Sequence, residues 1–181
     1  MKFKNIIESI SYGYSFRQKV EGDANGNVFV VQAKDVQTGG VNFNTISKID
    51  FDDLKEKFEL QNGDILLTNK GRFSACIFQR KTDDIFIASS GLFVIKISSN
   101  NYIPKYIAMF LNSNKGQYQI NLKLETMTIP SLTKEGLLTI EIPGISIKEQ
   151  EQLIKLNEAL LEYEALVNKK IDLCKKIIGV K

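Results

Sequence analysis

Short apolar runs bounded by Gly, Asn, Asp and Ser fill the first hundred residues, and their period is that of strands. VFVVQAKDV (28–36), FSACIFQ (73–79) and IFIASSGLFVIKI (85–97) are rich in β-branched and aromatic residues and predict strands, the last of them one or two. LQNGDILLT (60–68) puts a turn directly before an apolar strand, and Asn69-Lys70-Gly71-Arg72 makes the loop tip from which 73–79 returns. Residues 3–10 fit a short helix or strand with Phe3, Ile6, Ile7 and Ile10 inward. Residues 12–27 form a polar, Gly-rich loop ending in a hairpin-like Asn25-Gly26 turn, and 38–44 form another turn. The acidic stretch 50–59 reads as a short solvated helix. Pro104 opens a helix at its first turn, where a missing N–H is harmless, and Tyr106, Ile107, Phe110 and Leu111 give it an apolar face. Residues 113–128 are polar and irregular, and 129–143 supply a closing strand. The predicted head is α+β, mixed, with a largely antiparallel curled sheet and short helices.

The period then changes. After Pro143 a single amphipathic helix runs from Ile147 to about Ile178 without Gly or Pro. Ser146 and Glu149 form a Ser-x-x-Glu capping box that satisfies two backbone N–H groups left unpaired at a helix start. Leu153, Leu156, Leu160, Tyr163, Val167, Cys174 and Ile177 follow a 3-4 spacing, interrupted by Lys170. Ala159, Leu166, Ile171, Leu173 and Ile178 widen that stripe enough for more than one neighbour. The helix can lie across its own domain or project as a coiled-coil arm. At about 1.5 Å per residue it is roughly 48 Å long. That exceeds the diameter expected of such a head, which favours the arm. The chain therefore divides into a head, 1–145, and a spacer or dimerisation helix, 146–181.

Composition excludes much chemistry. The 181 residues contain no histidine, which removes Ser-His-Asp triads, Cys-His pairs, His metal sites and a His general base. Walker-type and Gly-x-Gly-x-x-Gly loops are absent from the sequence. Asp53-Leu54-Lys55 has the Asp-x-Lys ending of many nuclease sites but sits in the acidic stretch FDDLKEKFE. Cys76 and Cys174 form no metal or redox motif and read as free thiols in a reducing cytoplasm. No apolar run is long enough to span a bilayer, and MKFKNIIESI has no signal-peptide core. We expect no catalytic residues, no metal and no cofactor. The net charge is a modest +3, but it is segregated. Residues 65–82 carry Lys70, Arg72, Arg80 and Lys81 without an acid, 1–20 and 101–134 are each +3, and acids gather at 50–59. This distribution allows a basic face for a polyanion.

In this order the elements resemble one target-recognition half of the specificity subunit of type I restriction–modification systems. Gly13 to Val36 is similar to the family's opening loop and first strands. Leu60-x-x-Gly63-Asp64-Ile65-Leu66 followed by Gly71 is similar to its turn-and-strand motif. Pro104-x-Tyr106-Ile107 to Leu111 resembles the helix before the variable DNA-reading segment, and Thr128–Leu132 with Leu138–Pro143 the strands leaving it. Glu149-Gln150 resembles the Glu-Gln pair at the base of the family's spacer helix. Pro143-Gly144-Ile145-Ser146 stands where the family usually has Pro-Pro or Pro-Leu. A full subunit of the family has two recognition domains and two antiparallel spacer helices; this chain has one of each. Met1 and the complete helix lead us to expect a natural half-subunit rather than a piece of a longer gene.

The resemblance implies a non-catalytic, cytoplasmic component that reads double-stranded DNA and docks methyltransferase and restriction subunits. Pairing through the helix would give a two-fold homodimer and an interrupted-palindrome target. DNA reading needs Lys and Arg for phosphates and Arg, Asn, Gln, Thr or aromatic tips for base edges. Three segments supply them. The tip 69–74 offers Asn69, Lys70, Arg72 and Ser74, with Arg72 the candidate guanine contact. The stretch 114–126 offers Lys115, Gln117, Tyr118, Gln119, Lys123 and Thr126. The edge 13–19 adds Arg17 and Lys19. Taken singly, each is an ordinary solvated loop position; the loops as units carry the expectation. The rival reading is a protein-interaction adaptor that uses its coiled-coil helix and reads no DNA.

Overall fold

Alternate residues of the central strands are apolar on both faces, so those strands must be covered on both sides. The computed structural model describes residues 1–17, 20, 22–23, 25–51, 58–125 and 128–179. In chain order it contains β1 (Ile7–Tyr12), β2 (Val28–Val31), β3 (Val36–Gln37), β4 (Gly40–Val41), β5 (Ser47–Ile49), β6 (Ile65–Thr68), β7 (Ala75–Ile77), β8 (Ile85–Ala88) and β9 (Leu92–Ile97). There follow α1 (Pro104–Asn112), α2 (Asn114–Asn121), β10 (Leu124–Glu125), β11 (Ser131–Leu132), α3 (Lys134–Leu138) and α4 (Ile147–Ile178). The fold is α+β, as its sequence pattern predicts.

A four-stranded antiparallel sheet runs in the order β1-β9-β6-β7. A second sheet, β5-β2-β8, contains the parallel pair β2/β8. In β6, Ile65 and Leu67 point into one core with Phe3, Ile6, Phe93, Ile107 and Ile142, while Leu66 points into another with Phe78, Phe86 and Leu92. This burial on both faces is why ILLT reads as a continuous apolar run.

Several boundaries differ from the sequence expectation. The strand expected over 28–36 breaks after Val31, because the Gln32 N–H donates to the Asp35 carboxylate at 2.9 Å and Asp35 accepts the Thr45 hydroxyl at 2.6 Å. The Asn25-Gly26 turn does not close a hairpin: β2 pairs with β5 and β8, and β1 pairs with β9. The irregular stretch expected at 113–128 contains α2, whose start is capped by Ser113 Oγ accepting from the Gly116 N–H at 3.2 Å. The closing strand expected over 129–143 is only the two-residue β11. Thr133 then caps the short helix α3. The expected acidic helix and its Asp53-Leu54-Lys55 lie largely outside the described residues.

The last helix has the predicted cap. Ser146 and Glu149 bond reciprocally, and Gly179 ends the helix in the left-handed conformation at φ 74°. Its base rests on α1, where Ile154, Asn157 and Leu161 are partly covered. From Glu162 to Ile178 every residue is exposed. The first half of α4 thus lies against the head, and the second half is exposed along its length.

Candidate nucleic-acid interface

Two of the sequence segments nominated for DNA contact, 13–19 and 69–74, meet through backbone hydrogen bonds, and the third, 114–126, joins them at the β10–β11 hairpin. The chain crosses from one sheet to the other between β8 and β9, at Ser89-Ser90-Gly91. That turn is the junction. On one side, Gly13 N–H donates to Leu92 C=O (3.0 Å), Tyr14 N–H to Ala88 C=O (2.7 Å), and Ser90 N–H to Tyr14 C=O (2.9 Å). A Cβ on Gly13 would lie 2.2 Å from the Ser89 carbonyl oxygen, so this approach requires glycine. On the other side, Asn69 N–H donates to Gly91 C=O (3.0 Å) and Asn69 Nδ2 to Ser90 C=O (2.8 Å). The β6–β7 tip is then tied to the β10–β11 hairpin: Leu132 N–H donates to Asn69 C=O (2.9 Å) and Gly71 N–H to Pro130 C=O (3.1 Å). Residues 13–17, 89–91, 69–72 and 128–132 thus form one continuous edge at the seam between the sheets.

The nominated residues, on this edge and on the neighbouring α2, divide into two groups. Lys70 and Arg72 stand exposed on the tip, with Gly71 between them at φ 71°. Arg17 is exposed on the opposite flank. Lys115, Tyr118 (66% exposed) and Lys123 project from α2 and the residues just after it. None of these cations has an ion-pair partner among the described residues. Asn69, Ser74, Gln117 and Gln119, by contrast, are committed to the fold. Asn69 is buried and spends its amide nitrogen on Ser90; its Oδ1 has no hydrogen-bond partner. Ser74 is buried, and its N–H donates to Thr68 Oγ1 at 2.8 Å. Gln117 Nε2 donates to Phe73 C=O (3.0 Å) and Leu111 C=O (2.7 Å), which fastens α2 to the return arm of the tip. Gln119 bonds both ways to the Glu141 backbone, at 3.0 and 2.8 Å. Lys19 and Thr126 lie outside the described residues.

The basic run at 65–82 is not one patch. Arg80 lies beyond the far end of β7 from Arg72 and pairs with Glu59 at 2.7 Å, while Lys81 sits 4.8 Å over the Phe43 ring. Sequence reasoning also missed the junction residues Ser89–Gly91 and the exposed Thr128–Pro130. Their signals were ordinary turn residues, Ser-Ser-Gly and Thr-Ile-Pro, between apolar runs.

Chemistry elsewhere is quiet. Burial pushes the Cys76 thiol up to about 12, and Cys174 is exposed on α4. Burial also raises the Asp64 carboxyl, although it accepts the Gln61 N–H at 2.9 Å and faces Lys96. Among the described residues no group of three or more His, Cys, Asp or Glu is placed to hold a metal. Among them no helix is long and apolar enough to cross a membrane.

A loop-bearing α+β head on a helical arm, with unpaired cations along one loop-built edge, defines the class. The model of the type I restriction modification DNA specificity domain matches residues 1–173, and the chain belongs to that family. Its members recognise DNA sequence and are generally non-catalytic. No match is found among curated proteins. Solved structures share the fold. A chain from a type I R-M system studied for complex assembly and conformational transition has TM-score 0.72 and 13% identity, covering 98% of this chain and 42% of that one. The type I restriction-modification S subunit from M. genitalium has TM-score 0.60 and 16% identity, over 97% and 42%. The HsdS subunit from Thermoanaerobacter tengcongensis has TM-score 0.62 and 14% identity, over 94% and 39%. This chain therefore spans about two fifths of the length of those chains.

Proposed function

We propose that this chain is a non-catalytic specificity component that reads one half of a bipartite DNA target and pairs with a second copy through α4. Residues 1–145 are the reading head and 146–181 the pairing helix. In the complete system it directs methyltransferase and restriction subunits to the site. The observation that carries the reading is the continuous edge on which Lys70 and Arg72 stand exposed and unpaired. Lys70, Arg17, Lys115 and Lys123, with Lys19, suit phosphates. Arg72 suits the acceptor pair of a guanine, and Tyr118 and Thr126 suit base or sugar contacts. Asn69, Ser74, Gln117 and Gln119 hold the edge in shape.

The pairing half rests on the outer part of α4. Leu160, Tyr163, Leu166, Val167, Ile171 and Ile177 are all exposed there, an apolar stripe without a partner among the described residues. The helix is also charge-segregated. Residues 147–164 carry five acids and two lysines, net −3, and 165–178 carry four lysines and one aspartate, net +3. An antiparallel pair sets each acidic base against a basic tip; a parallel pair sets like against like. The two heads then face outward in opposite orientations, and the target is an interrupted palindrome.

The test is a solution mass by light scattering together with selection of bound duplexes from a random library. A dimer that selects two inverted copies of one half-site supports the reading. Two unrelated half-sites would refute the homodimer. A dimer with no salt-dependent retention of DNA would favour the adaptor reading.

A further inference from the structure

We infer that Gln150 is a positioning residue that sets the distance between the two DNA half-sites without touching DNA. The inference rests on the paired, DNA-reading function proposed above and adds what fixes its geometry. Gln150 is the one buried residue of α4 and is 0% exposed. Its amide makes three bonds, all to head backbone: Nε2 donates to Asn101 C=O (2.8 Å) and Ile145 C=O (3.0 Å), and Oε1 accepts the Ile103 N–H (2.9 Å). Residues 101–103 lead into α1 and Ile145 leads into α4, so one side chain pins two helix starts together. Among the described residues one further polar strut joins arm to head, the exposed Lys105–Glu158 ion pair.

An amide satisfied on all three bonds inside the fold rotates only by leaving buried groups unpaired, which resists hinge motion. The helix therefore leaves the head at a fixed angle. A fixed angle at each end of a paired arm fixes the separation of the two reading edges, and hence the number of base pairs between half-sites. Such preorganisation sharpens the preferred spacing rather than the half-site sequence.

The test compares the full chain with Gln150→Met, which keeps the volume but removes all three bonds, on duplexes carrying inverted half-sites at a series of spacings. A Glu158→Gln variant weakens only the exposed strut and guards against loss of fold in the first. Spin labels at Asp83→Cys and Lys169→Cys, in a Cys174→Ser background diluted with unlabelled chain, report the head–arm distance independently of DNA. The expected result is one preferred spacing for the unaltered chain. Gln150→Met keeps the same half-site and dimer mass but spreads over neighbouring spacings. Its affinity at the original spacing falls about tenfold, with a smaller fall for Glu158→Gln. Its label distances broaden. A variant that keeps the single spacing and the narrow distances overturns the inference. If the unaltered chain binds no duplex, the proposed function falls and takes the spacing role with it. The label distances then still decide whether Gln150 fixes the joint.

Discussion

Arg72 and Lys70 are neighbours on one tip, but the proposed chemistry separates them. A guanidinium set on a guanine discriminates one base pair, whereas an ammonium on phosphate does not. Arg72→Ala should cost about 1–3 kcal/mol on the preferred duplex and relax selection at one position. Lys70→Ala should weaken all duplexes alike and lower the slope of log affinity against log salt by about one. Titrations of both variants over a salt series check this; equal effects on specific and random duplexes for Arg72→Ala would remove it from base readout. At this scale the sequence was half legible. Residue type pointed to the tip at 69–74 and to 114–126, and Lys70, Arg72, Lys115, Tyr118 and Lys123 are indeed exposed. It could not show that the amide nitrogens of Asn69, Gln117 and Gln119 donate to backbone carbonyls, because Asn and Gln bond equally well to a base or to a carbonyl. Ser74 is lost to the fold for a similar reason: its place beside Thr68 is set by the loop, not by local pattern.

At the level of elements, legibility follows how local the cause is. The start of α4 is written in four adjacent residues, and the structure has the predicted box, with Ser146 N–H donating to the Glu149 carboxylate at 2.9 Å. The Ser146 hydroxyl and backbone bonds also hold the Glu149 carboxyl below its ordinary value of 4.5. A lowered folded value means that the ionised cap stabilises the folded helix fully above pH 4.5, and this contribution is lost as pH falls through the folded value. Acid titration followed by circular dichroism should therefore show helix loss on the acid side of the ordinary carboxylate range, and Glu149→Gln should flatten it. Ser146→Ala should cost about 1 kcal/mol in urea denaturation. The helix α2 was illegible by contrast. NKGQYQIN is poor in helix formers. The helix exists because Gly116 lets α2 press against the end of α1, where a Cβ would lie 2.1 Å from the Phe110 carbonyl oxygen, and because Gln117 reaches Phe73 C=O and Ile120 is buried in the core. Those contacts are tertiary. The closing strand expected at 129–143 failed likewise, since its alternation serves the core through the short helix α3 and the residues after it, with Leu137, Ile140 and Ile142 all buried.

For the whole molecule the proposed pairing through α4 has two possible orientations, and the charges of α4 make them distinguishable. An antiparallel pair brings the net −3 base of each helix over the net +3 tip of the other, while a parallel pair stacks the four tip lysines of both chains together. Salt screens both arrangements, with opposite signs. The antiparallel dimer should weaken as salt rises from about 0.05 to 0.5 M, and a parallel dimer should tighten. Exposed pairs each contribute about 0.2–1 kcal/mol, so several acting together shift the dimer constant by roughly tenfold. Lys169→Glu with Lys170→Glu gives an independent reading. In the antiparallel pair it sets acid against acid at both ends and lowers affinity further. In a parallel pair it lowers each tip from net +3 to net −1, with two lysines kept beside three acids, so like-charge repulsion is relieved and affinity rises. Sedimentation equilibrium at the two salt concentrations, on both chains, decides the matter. The outcome reaches the DNA, because only antiparallel arms carry the two reading edges to opposite ends of the assembly, where inverted half-sites separated by a gap can meet them.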